Sequence, residues 1–276
     1  ARPLLEKAAP SKLAMVFHSE HEFENGHLNY EYYYVFKYAK RFDYFITATD
    51  LQKEVLEQTL AKQGCKGIPI YSIPVGHLET LTEPQGDRPP FSVLTASRLD
   101  PRKRIDLAIR VVAQAHEKLP ALQFDIYGKG GEADNLHHLI QELAAQDYIH
   151  LRGHADLQQI YPCYQAYLTT SQWETFGLTL MEAIGSGLPI IGFDVPYGNQ
   201  TFVTEGKNGY LIPPSADQVV DQIASAFAEK IIQLYKKDDL ASMRQASYAR
   251  AEDFLTSRVE EAWAQLIEEV THAERI

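Results

Sequence analysis

Short apolar runs alternate with longer amphipathic stretches along almost the whole chain. The apolar runs have the length and pattern of buried β-strands. In chain order they are LAMVF (13–17), YFITAT (44–49), IPIYSIPV (68–75), FSVLTAS (91–97), LQFDIYG (122–128), YIHLRG (148–153), AYLTTS (166–171), LPIIGFD (188–194) and GYLIP (209–213). The stretches between them favour helices, as in IDLAIRVVAQAHEKL, where Leu107, Val111, Val112 and Ala115 recur at helical spacing. This alternation predicts a doubly wound α/β fold whose parallel sheet is covered on both faces.

The segment TLTEPQGDRPP (80–90) interrupts the alternation with three prolines and a glycine, which is typical of a linker. About six of the predicted strands follow it, enough for a full doubly wound lobe, and three precede it. We therefore expect an incomplete first lobe over 1–79, a complete lobe over 80–255 and a C-terminal helix over 256–276 that packs back on the first lobe. Either the first lobe is small, or the chain begins in the middle of a larger protein.

Composition narrows the class of protein. The chain has 276 residues, of which 45% are hydrophobic and 23% charged, as in a globular protein. Its net charge of -11 argues against a protein that wraps nucleic acid. Cys65 and Cys163 form no metal-binding or redox motif, so a reducing cytoplasm is the simplest compartment. No apolar run reaches the roughly 20 residues of a membrane span, and ARPLLEKAAP has no secretory pattern.

Candidate functional residues follow the predicted strands. In doubly wound sheets, ligands bind beyond the carboxyl ends of the strands. His18, Arg98, the loop 128–131 and Glu174 each come just after a strand. We therefore expect these four positions to converge on one crevice.

Basic residues cluster after the fourth run, where Arg98 is followed by LDPRKRID. Pro101 suits the first turn of a helix, and Lys103 and Arg104 lie just inside it. Arg98 and Lys103 have no evident acidic partner in the sequence. Cations at a helix start oppose the helix dipole, so an anionic ligand held by Arg98, Lys103 and free amides would explain them. The alternative is a solvated basic turn.

The loop YGKGGE (127–132) is glycine-rich and lies between a strand and a helix, so its backbone can approach a phosphate or a sugar closely. It lacks the full GxGxxG spacing, and an ordinary strand-to-helix turn explains it equally well.

The stretch WETFGLTLMEAIGSGLP (173–189) carries two glutamates, Glu174 and Glu182, eight residues apart. Thr175, Phe176 and Gly177 open a helix that contains Glu182, and its free amides suit phosphate oxygens. Glu182 can accept hydrogen bonds from ribose hydroxyls, and Glu174 can reach a sugar. The alternative interpretation makes Glu174 a helix-dipole partner and places Glu182 on a solvated face.

Two further segments stand near the N-terminus. HSEHE (18–22) does not have a metal-ligand spacing, so a single functional histidine, His18, is the better interpretation. The tyrosine-rich run over 30–41 predicts a packed helix, since aromatic side chains are mostly core; the alternative is a surface for a partner or acceptor.

Taken together, SRL followed by Lys103, the YGKGG loop and ETFGLTLMEAIGSGLP resemble the nucleotide-binding lobe of retaining GT-B glycosyltransferases, whose signature is a pair of glutamates. FDIYGKGGE, EAIGSGLPIIGFDVPYGNQTF and NGYLIP are similar, more narrowly, to the GtfA family of accessory secretion systems. That family adds N-acetylglucosamine to Ser and Thr of serine-rich repeat adhesins in Gram-positive bacteria. The similarity runs from His18 nearly to the C-terminus, and teichoic-acid glycosyltransferases share many of the motifs.

The resemblance implies a UDP-sugar donor and a GT-B fold, with a nucleotide-sugar-binding Rossmann-like lobe over 80–255 and part of a second such lobe. Arg98 and Lys103 would neutralise the diphosphate, Glu174 would face the donor sugar, and His18 would lie near the anomeric centre. Other implied donor-binding residues are Gly128, Gly130, Thr175, Phe176, Gly177, Leu178 and Glu182, the last at the ribose. The reaction would retain configuration and need no metal or other cofactor, because the two cations take the place of a metal.

The implied partners are the UDP-sugar, a serine-rich acceptor protein and a homologous, GtfB-like companion subunit, with no nucleic acid. The resemblance is compatible with a cytoplasmic enzyme and with peripheral membrane association through parts outside this sequence. Family members have a longer N-terminal half, so we expect the chain to bind UDP but to transfer little sugar alone. Two alternatives are a teichoic-acid glycosyltransferase and a non-catalytic GtfB-like adaptor, whose donor motifs are degraded, unlike those here.

Overall fold

The computed structural model describes residues 12–22, 27–76, 78–83, 87–215, 217, 219–236 and 240–272. Its chain divides into two compact units, one made of Ala1–Gly76 with Ser257–Ile276 and the other of His77–Thr256. We call them the three-stranded unit and the six-stranded unit after the sheets that they contain.

The strands in the described residues all lie within the apolar runs that predicted them. They are β1 Ala14–Phe17, β2 Tyr44–Thr47, β3 Ile70–Ser72, β4 Ser92–Ala96, β5 Gln123–Tyr127, β6 Ile149–Gly153, β7 Ala166–Leu168, β8 Ile190–Phe193 and β9 Gly209–Ile212. The helices are α1 Tyr33–Lys37, α2 Asp50–Lys62, α3 Ile105–His116, α4 Ala133–Glu142, α5 Leu178–Gly185, α6 Gly198–Phe202, α7 Val220–Lys236, α8 Leu240–Ala251 and α9 Thr256–His272. The predicted α/β alternation is confirmed.

Both sheets are parallel throughout. The six-stranded sheet has the order β6-β5-β4-β7-β8-β9, and the three-stranded sheet has the order β1-β2-β3. In the larger sheet, β4 pairs with β5 on one side and with β7 on the other, so the direction of winding reverses beside β4. Such a reversal opens a crevice beyond the carboxyl ends of these strands, where ligands of doubly wound folds bind.

The core of the six-stranded unit forms where helices cover its sheet. On α3, Leu107, Val111 and Ala115 are fully buried, as their helical spacing predicted. Phe193 of β8 packs edge-on against Phe227 of α7, with ring centroids 4.8 Å apart. Because its buried face packs on the sheet, α3 is held where the chain leaves the carboxyl end of β4. The candidate site lies at this end of the sheet.

The described residues of the three-stranded unit include two smaller clusters. One contains Phe17, Phe36, Phe45 and Leu56. The other joins Ile46 and Ile73 of the sheet to Val259 and Leu266 of α9. Helix α9 thus packs on this sheet, and Glu269 also accepts a hydrogen bond of 2.7 Å from Tyr71.

The tyrosine-rich segment differs from the single packed helix that its composition predicted. It consists of a 3₁₀ turn over Tyr30–Tyr32, the short helix α1 and a second 3₁₀ turn over Ala39–Arg41. Tyr32 is buried, whereas Tyr30, Tyr33 and Tyr34 are more than half exposed. The prediction was wrong on this point because aromatic content alone does not say which side of a segment faces the core.

Within the described ranges, no helix combines the length and the hydrophobicity that a membrane span requires. The predicted linker over 80–90 lies partly outside the described residues, at 84–86. On its described side Arg88 is buried, and its Nη2 donates a hydrogen bond of 2.6 Å to the carbonyl of Ser186, just after α5.

Candidate functional site

A cavity of about 340 Å³ opens at the carboxyl ends of β4, β5 and β6. Arg98 and Gly128, two of the predicted residues, line it. Tyr127 and Lys129, which also line it, belong to the glycine-rich loop that the sequence singled out. Sequence reasoning gave no role to the other lining residues, which are Ala96, Ser97, His154, Ala155, Leu157 and Thr179. Those in the loop after β6 carry no motif, although their place beyond a strand was a signal that could have identified them. The cavity has the size of a small-molecule site, for which roughly 300–1,000 Å³ is usual.

The basic turn after β4 differs from its prediction. Pro101–Lys103 form a 3₁₀ turn, and Arg104 has a positive φ of 48° before α3 begins at Ile105. Lys103 and Arg104 therefore lie before the helix, not inside it. A non-glycine residue in this conformation needs support from its surroundings. Thr170, two residues after β7, supplies it by donating to the carbonyl of Arg104 at 2.7 Å.

The expectation that Arg98 and Lys103 lack acidic partners was also wrong. Arg98 Nη2 lies 3.3 Å from Asp100 Oδ2, but its side chain is 72% exposed. Lys103 Nζ donates to Glu174 Oε1, and both of these side chains are largely buried. The structure thus brings two predicted residues from different strand ends into one ion pair, which joins the loop after β4 to the loop after β7.

The backbone around Glu174 is fixed by the N-terminal end of α6. The amides of Tyr197 and Gly198 donate to the carbonyl of Glu174 at 2.9 Å and 2.7 Å. A side chain at position 198 would place its Cβ 2.1 Å from the carbonyl oxygen of Phe176, so only glycine permits this approach. The carboxylate of Glu174 is therefore presented from a rigid backbone.

Helix α5 begins at Leu178, three residues after the predicted start at Thr175. Gly177 precedes it in the left-handed region, with φ 84°, and no side chain caps the first turn. The amide of Leu180 donates to the carbonyl of Gly177 at 2.9 Å, and the role of this turn in holding the phosphates of a ligand stays a prediction. Phe176 points into the core, where its ring packs against Phe202 and Phe254 at 5.1 Å and 6.2 Å. Phe176 can therefore contribute only its backbone to a ligand.

Glu182 does not lie on a solvated face. It is half-buried, and its Oε2 accepts a hydrogen bond of 3.0 Å from the hydroxyl of Tyr161. Thr179, one turn earlier on α5, lines the cavity. Residues three apart on a helix share a face, so Glu182 lies beside the cavity wall.

The glycines of the loop after β5 are required by protein backbone. A Cβ on Gly128 would lie 1.8 Å from the carbonyl oxygen of Ser97, and a Cβ on Gly130 would lie 2.1 Å from that of Leu99. The loops after β4 and β5 are also joined by a hydrogen bond of 3.0 Å, which the amide of Leu99 donates to the carbonyl of Lys129. The expectation that these glycines make room for a ligand is corrected in part: their immediate neighbour is the loop after β4.

Tyr167 of β7, which sequence reasoning missed, links three parts of the site. Its hydroxyl donates to the carbonyl of Ala96 at 2.8 Å, accepts from the amide of Ala96 and lies 3.1 Å from Thr179 Oγ1. Burial raises the pKa of Tyr167 to about 12. This neutral hydroxyl ties the end of β4 to α5, and both contribute to the cavity wall.

His18 and His21 belong to the three-stranded unit. His18 directly follows β1 and is exposed. His21 is fully buried beside the rings of Phe17 and Phe36, at centroid distances of 5.6 Å and 6.0 Å. Burial lowers the pKa of His21 to about 4. His18 is therefore the accessible histidine of the pair, and its role at the anomeric centre stays a prediction.

In the part of the chain that the structure describes, no three His, Cys, Asp or Glu side chains are grouped so that they could hold a metal ion. Cys65 and Cys163 are both free thiols.

The chain is similar in sequence to a known protein family and to proteins of known function. The family described as glycosyl transferases group 1 matches residues 83–251. The chain is 52% identical over 273 residues to the UDP-N-acetylglucosamine–peptide N-acetylglucosaminyltransferase GtfA subunit of Streptococcus gordonii, an alignment that covers 97% of this chain and 54% of that relative. The chain spans about half the length of the curated relatives it matches.

Two solved structures are similar over 98% of this chain and 55% of their own. One is the pneumococcal O-GlcNAc transferase GtfA in complex with UDP and GlcNAc, with a TM-score of 0.91 and 51% identity. The other is a GtfA/B complex, with a TM-score of 0.93 and 52% identity.

Proposed function

Because this chain belongs to the group 1 glycosyl transferases, we propose that it takes N-acetylglucosamine from a UDP-linked donor to Ser or Thr hydroxyls of a serine-rich peptide, with retention of configuration. The relatives at about 52% identity act on peptides by their names, and one of them binds UDP and GlcNAc. The observation that carries the proposal is the Lys103–Glu174 pair, which lies at the strand ends beside a cavity and an uncapped helix.

The donor fits this site in a defined order. The nucleoside occupies the cavity next to Gly128 and Thr179, and its ribose hydroxyls donate to Glu182. The diphosphate lies against the first amides of α5, since a helix N-terminus attracts anions. Lys103 and Arg98 supply its countercharge, and the sugar faces Glu174.

The Lys103–Glu174 pair implies an exchange of partners when the donor binds. The diphosphate takes the ammonium group of Lys103, and the carboxylate of Glu174 is released to accept hydrogen bonds from the sugar. Before binding, each group neutralises the other in a largely buried position, which keeps both in place. The site is thus preorganised without a ligand.

The cations act on the charge that develops as the bond breaks. The bond between the anomeric carbon and the diphosphate oxygen breaks, and the acceptor oxygen bonds to that carbon on the same face. The proton of the acceptor hydroxyl goes to the departing diphosphate. Lys103 and Arg98 stabilise the diphosphate most strongly when its charge is greatest, which is how such contacts accelerate a reaction. No metal is needed for this step, so transfer should persist in excess EDTA.

A homologous companion subunit is part of the proposal. It is supported by the similarity to a chain of a solved GtfA/B complex, which covers 98% of this chain and 55% of that chain. Because it carries the proposed donor residues Arg98, Lys103, Glu174 and Glu182, this chain would be the donor-binding member of such a pair.

The experiment that tests the function has two parts. Calorimetric titration with UDP-N-acetylglucosamine and UDP-glucose measures donor binding and sugar preference. A radiolabelled transfer assay then compares a serine-rich peptide with a polyol-phosphate polymer, using the chain alone and the chain joined to the N-terminal half of a relative. We expect donor binding by both proteins and peptide labelling mainly by the longer one. Labelling of the polymer alone would make the enzyme a teichoic-acid glycosyltransferase, and absence of donor binding would leave an adaptor.

A further inference from the structure

The hydroxyl of Tyr161 contacts the carboxylate of Glu182, the residue that binds the ribose in the proposed function. Tyr161 is 1% exposed and begins a 3₁₀ turn, Tyr161–Cys163, between β6 and β7. Its hydroxyl is 3.0 Å from Oε2 of Glu182, which projects from α5. The contact joins two segments 21 residues apart. Glu182 lies one turn after Thr179, which lines the cavity.

The direction of this hydrogen bond is fixed by chemistry. Burial raises the pKa of the Tyr161 phenol well above its usual value, so the phenol keeps its proton. An ionised carboxylate only accepts hydrogen bonds, and it has about four lone-pair sites. Tyr161 therefore donates and occupies one of these sites, and a carboxylate can accept more than one hydrogen bond at a time.

We propose that Tyr161 is a positioning residue that makes the donor site selective for ribonucleotides over deoxyribonucleotides, because it holds Glu182 in the orientation that accepts from a ribose diol. This inference rests on the proposed function, in which Glu182 binds the ribose. A carboxylate on a flexible side chain loses rotational freedom when it binds, and a hydrogen bond that is already formed reduces that loss. Only ligands with ribose hydroxyls gain from this orientation.

The test compares the calorimetric affinity of UDP with that of 2′,3′-dideoxy-UDP. The proteins are the wild-type chain, Tyr161→Phe, Glu182→Ala and the double variant. Tyr161→Phe should lower the affinity for UDP about five- to tenfold, as the loss of one hydrogen bond does, and should change that for dideoxy-UDP less than about twofold. Glu182→Ala should abolish the preference for UDP, and the double variant should behave as Glu182→Ala does.

A matched control is Tyr235→Phe. It removes a hydroxyl that donates to the carbonyl of Ser92 at 3.0 Å, at the opposite end of β4 from the cavity. Its UDP preference should equal that of the wild type, and unfolding midpoints check that each variant folds.

Four results would overturn the inference. Equal weakening of both ligands in Tyr161→Phe would mean a purely structural role. Unchanged UDP affinity in Tyr161→Phe, with a loss in Glu182→Ala, would mean that Glu182 needs no support, while the proposed donor site would stand. If the wild type bound neither ligand, or if Glu182→Ala kept the UDP preference, the ribose assignment in the proposed function would fail and the inference with it.

Discussion

The two units hold the side chains that follow their strands in different ways. In the six-stranded unit, charged side chains are tied to other side chains, as Lys103 is to Glu174. In the three-stranded unit, Glu22 pairs with Lys62 at 3.2 Å, but the residues directly after His18 are also held through their backbone carbonyls. Gln52 donates to the carbonyl of Ser19 at 3.0 Å, and Asn29 donates to that of Glu20 at 2.9 Å.

The difference separates two kinds of preorganisation. A side-chain ion pair can exchange one partner for a ligand, so the six-stranded unit is built to rearrange its charges when an anion arrives. Backbone carbonyls that are held by neutral amides fix the path of the chain, so the three-stranded unit presents His18 from a rigid loop. The two tryptophans, Trp173 and Trp263, lie in different units and make the comparison measurable.

The largest expected effects come from the cores. Phe124→Ala in β5 and Phe45→Ala in β2 each empty a fully buried position, which costs about 3–5 kcal/mol. Phe124→Ala should lower the unfolding midpoint that Trp173 reports in a Trp263→Phe background. Phe45→Ala should lower the midpoint that Trp263 reports in a Trp173→Phe background. UDP affinity should fall only when the six-stranded unit is destabilised.

If each core variant shifted both tryptophan signals by the same amount, the units would unfold as one body. The two units would then differ in their polar contacts but not in their stability.

A smaller loss is expected in the glycine loop. Gly130→Ala places a Cβ against the Leu99 carbonyl, whereas a Cβ on Gly131 meets nothing within 4 Å. Overpacking of this kind costs about 3 kcal/mol at its upper range, and a surface substitution changes stability by less than about 0.5 kcal/mol. In urea unfolding, Gly130→Ala should therefore have a lower free energy of unfolding than its neighbour Gly131→Ala. Equal stability of the two variants would show that the loops after β4 and β5 do not need their close approach.

The sequence predicted the features that depend on local pattern. Every described strand lies within an apolar run because buried parallel strands require consecutive apolar residues. Glu174 and Lys103 were placed at strand ends by the same pattern. The positive φ of Arg104 was not predicted, because its support comes from Thr170, 66 residues away. Tyr161 was missed for the same reason: its partner lies on another element, and only the folded chain brings them together.

The exchange of partners between Lys103, Glu174 and the diphosphate predicts that Lys103 and Arg98 contribute unequally to UDP affinity. Lys103→Ala should weaken UDP binding roughly ten- to hundredfold, or about 1.5–3 kcal/mol, because it removes a charged donor and leaves the Glu174 carboxylate unpaired. Arg98→Ala should weaken it less than about fivefold, since exposed charges contribute little. Calorimetric titration with UDP measures both.

Glu174→Gln sharpens the same test because its change in UDP affinity should be opposite to that of Lys103→Ala. It removes the competitor for Lys103, so UDP should bind more tightly while sugar transfer falls. Weaker UDP binding in Glu174→Gln would argue against the exchange.

The smallest expected effect is a pH dependence confined to the three-stranded unit. The folded-state pKa of His21, about 4, lies below the usual 6.5, so protons bind more tightly to the unfolded chain between these values. The contribution of neutral His21 to the free energy of unfolding is therefore largest above pH 6.5, and it is lost as the pH falls toward 4. Between pH 7 and pH 5.5 the loss should be about 1 kcal/mol. Unfolding followed by Trp263 should show it, and His21→Leu should remove it, whereas an equal slope in that variant would assign the effect to other groups such as Glu22.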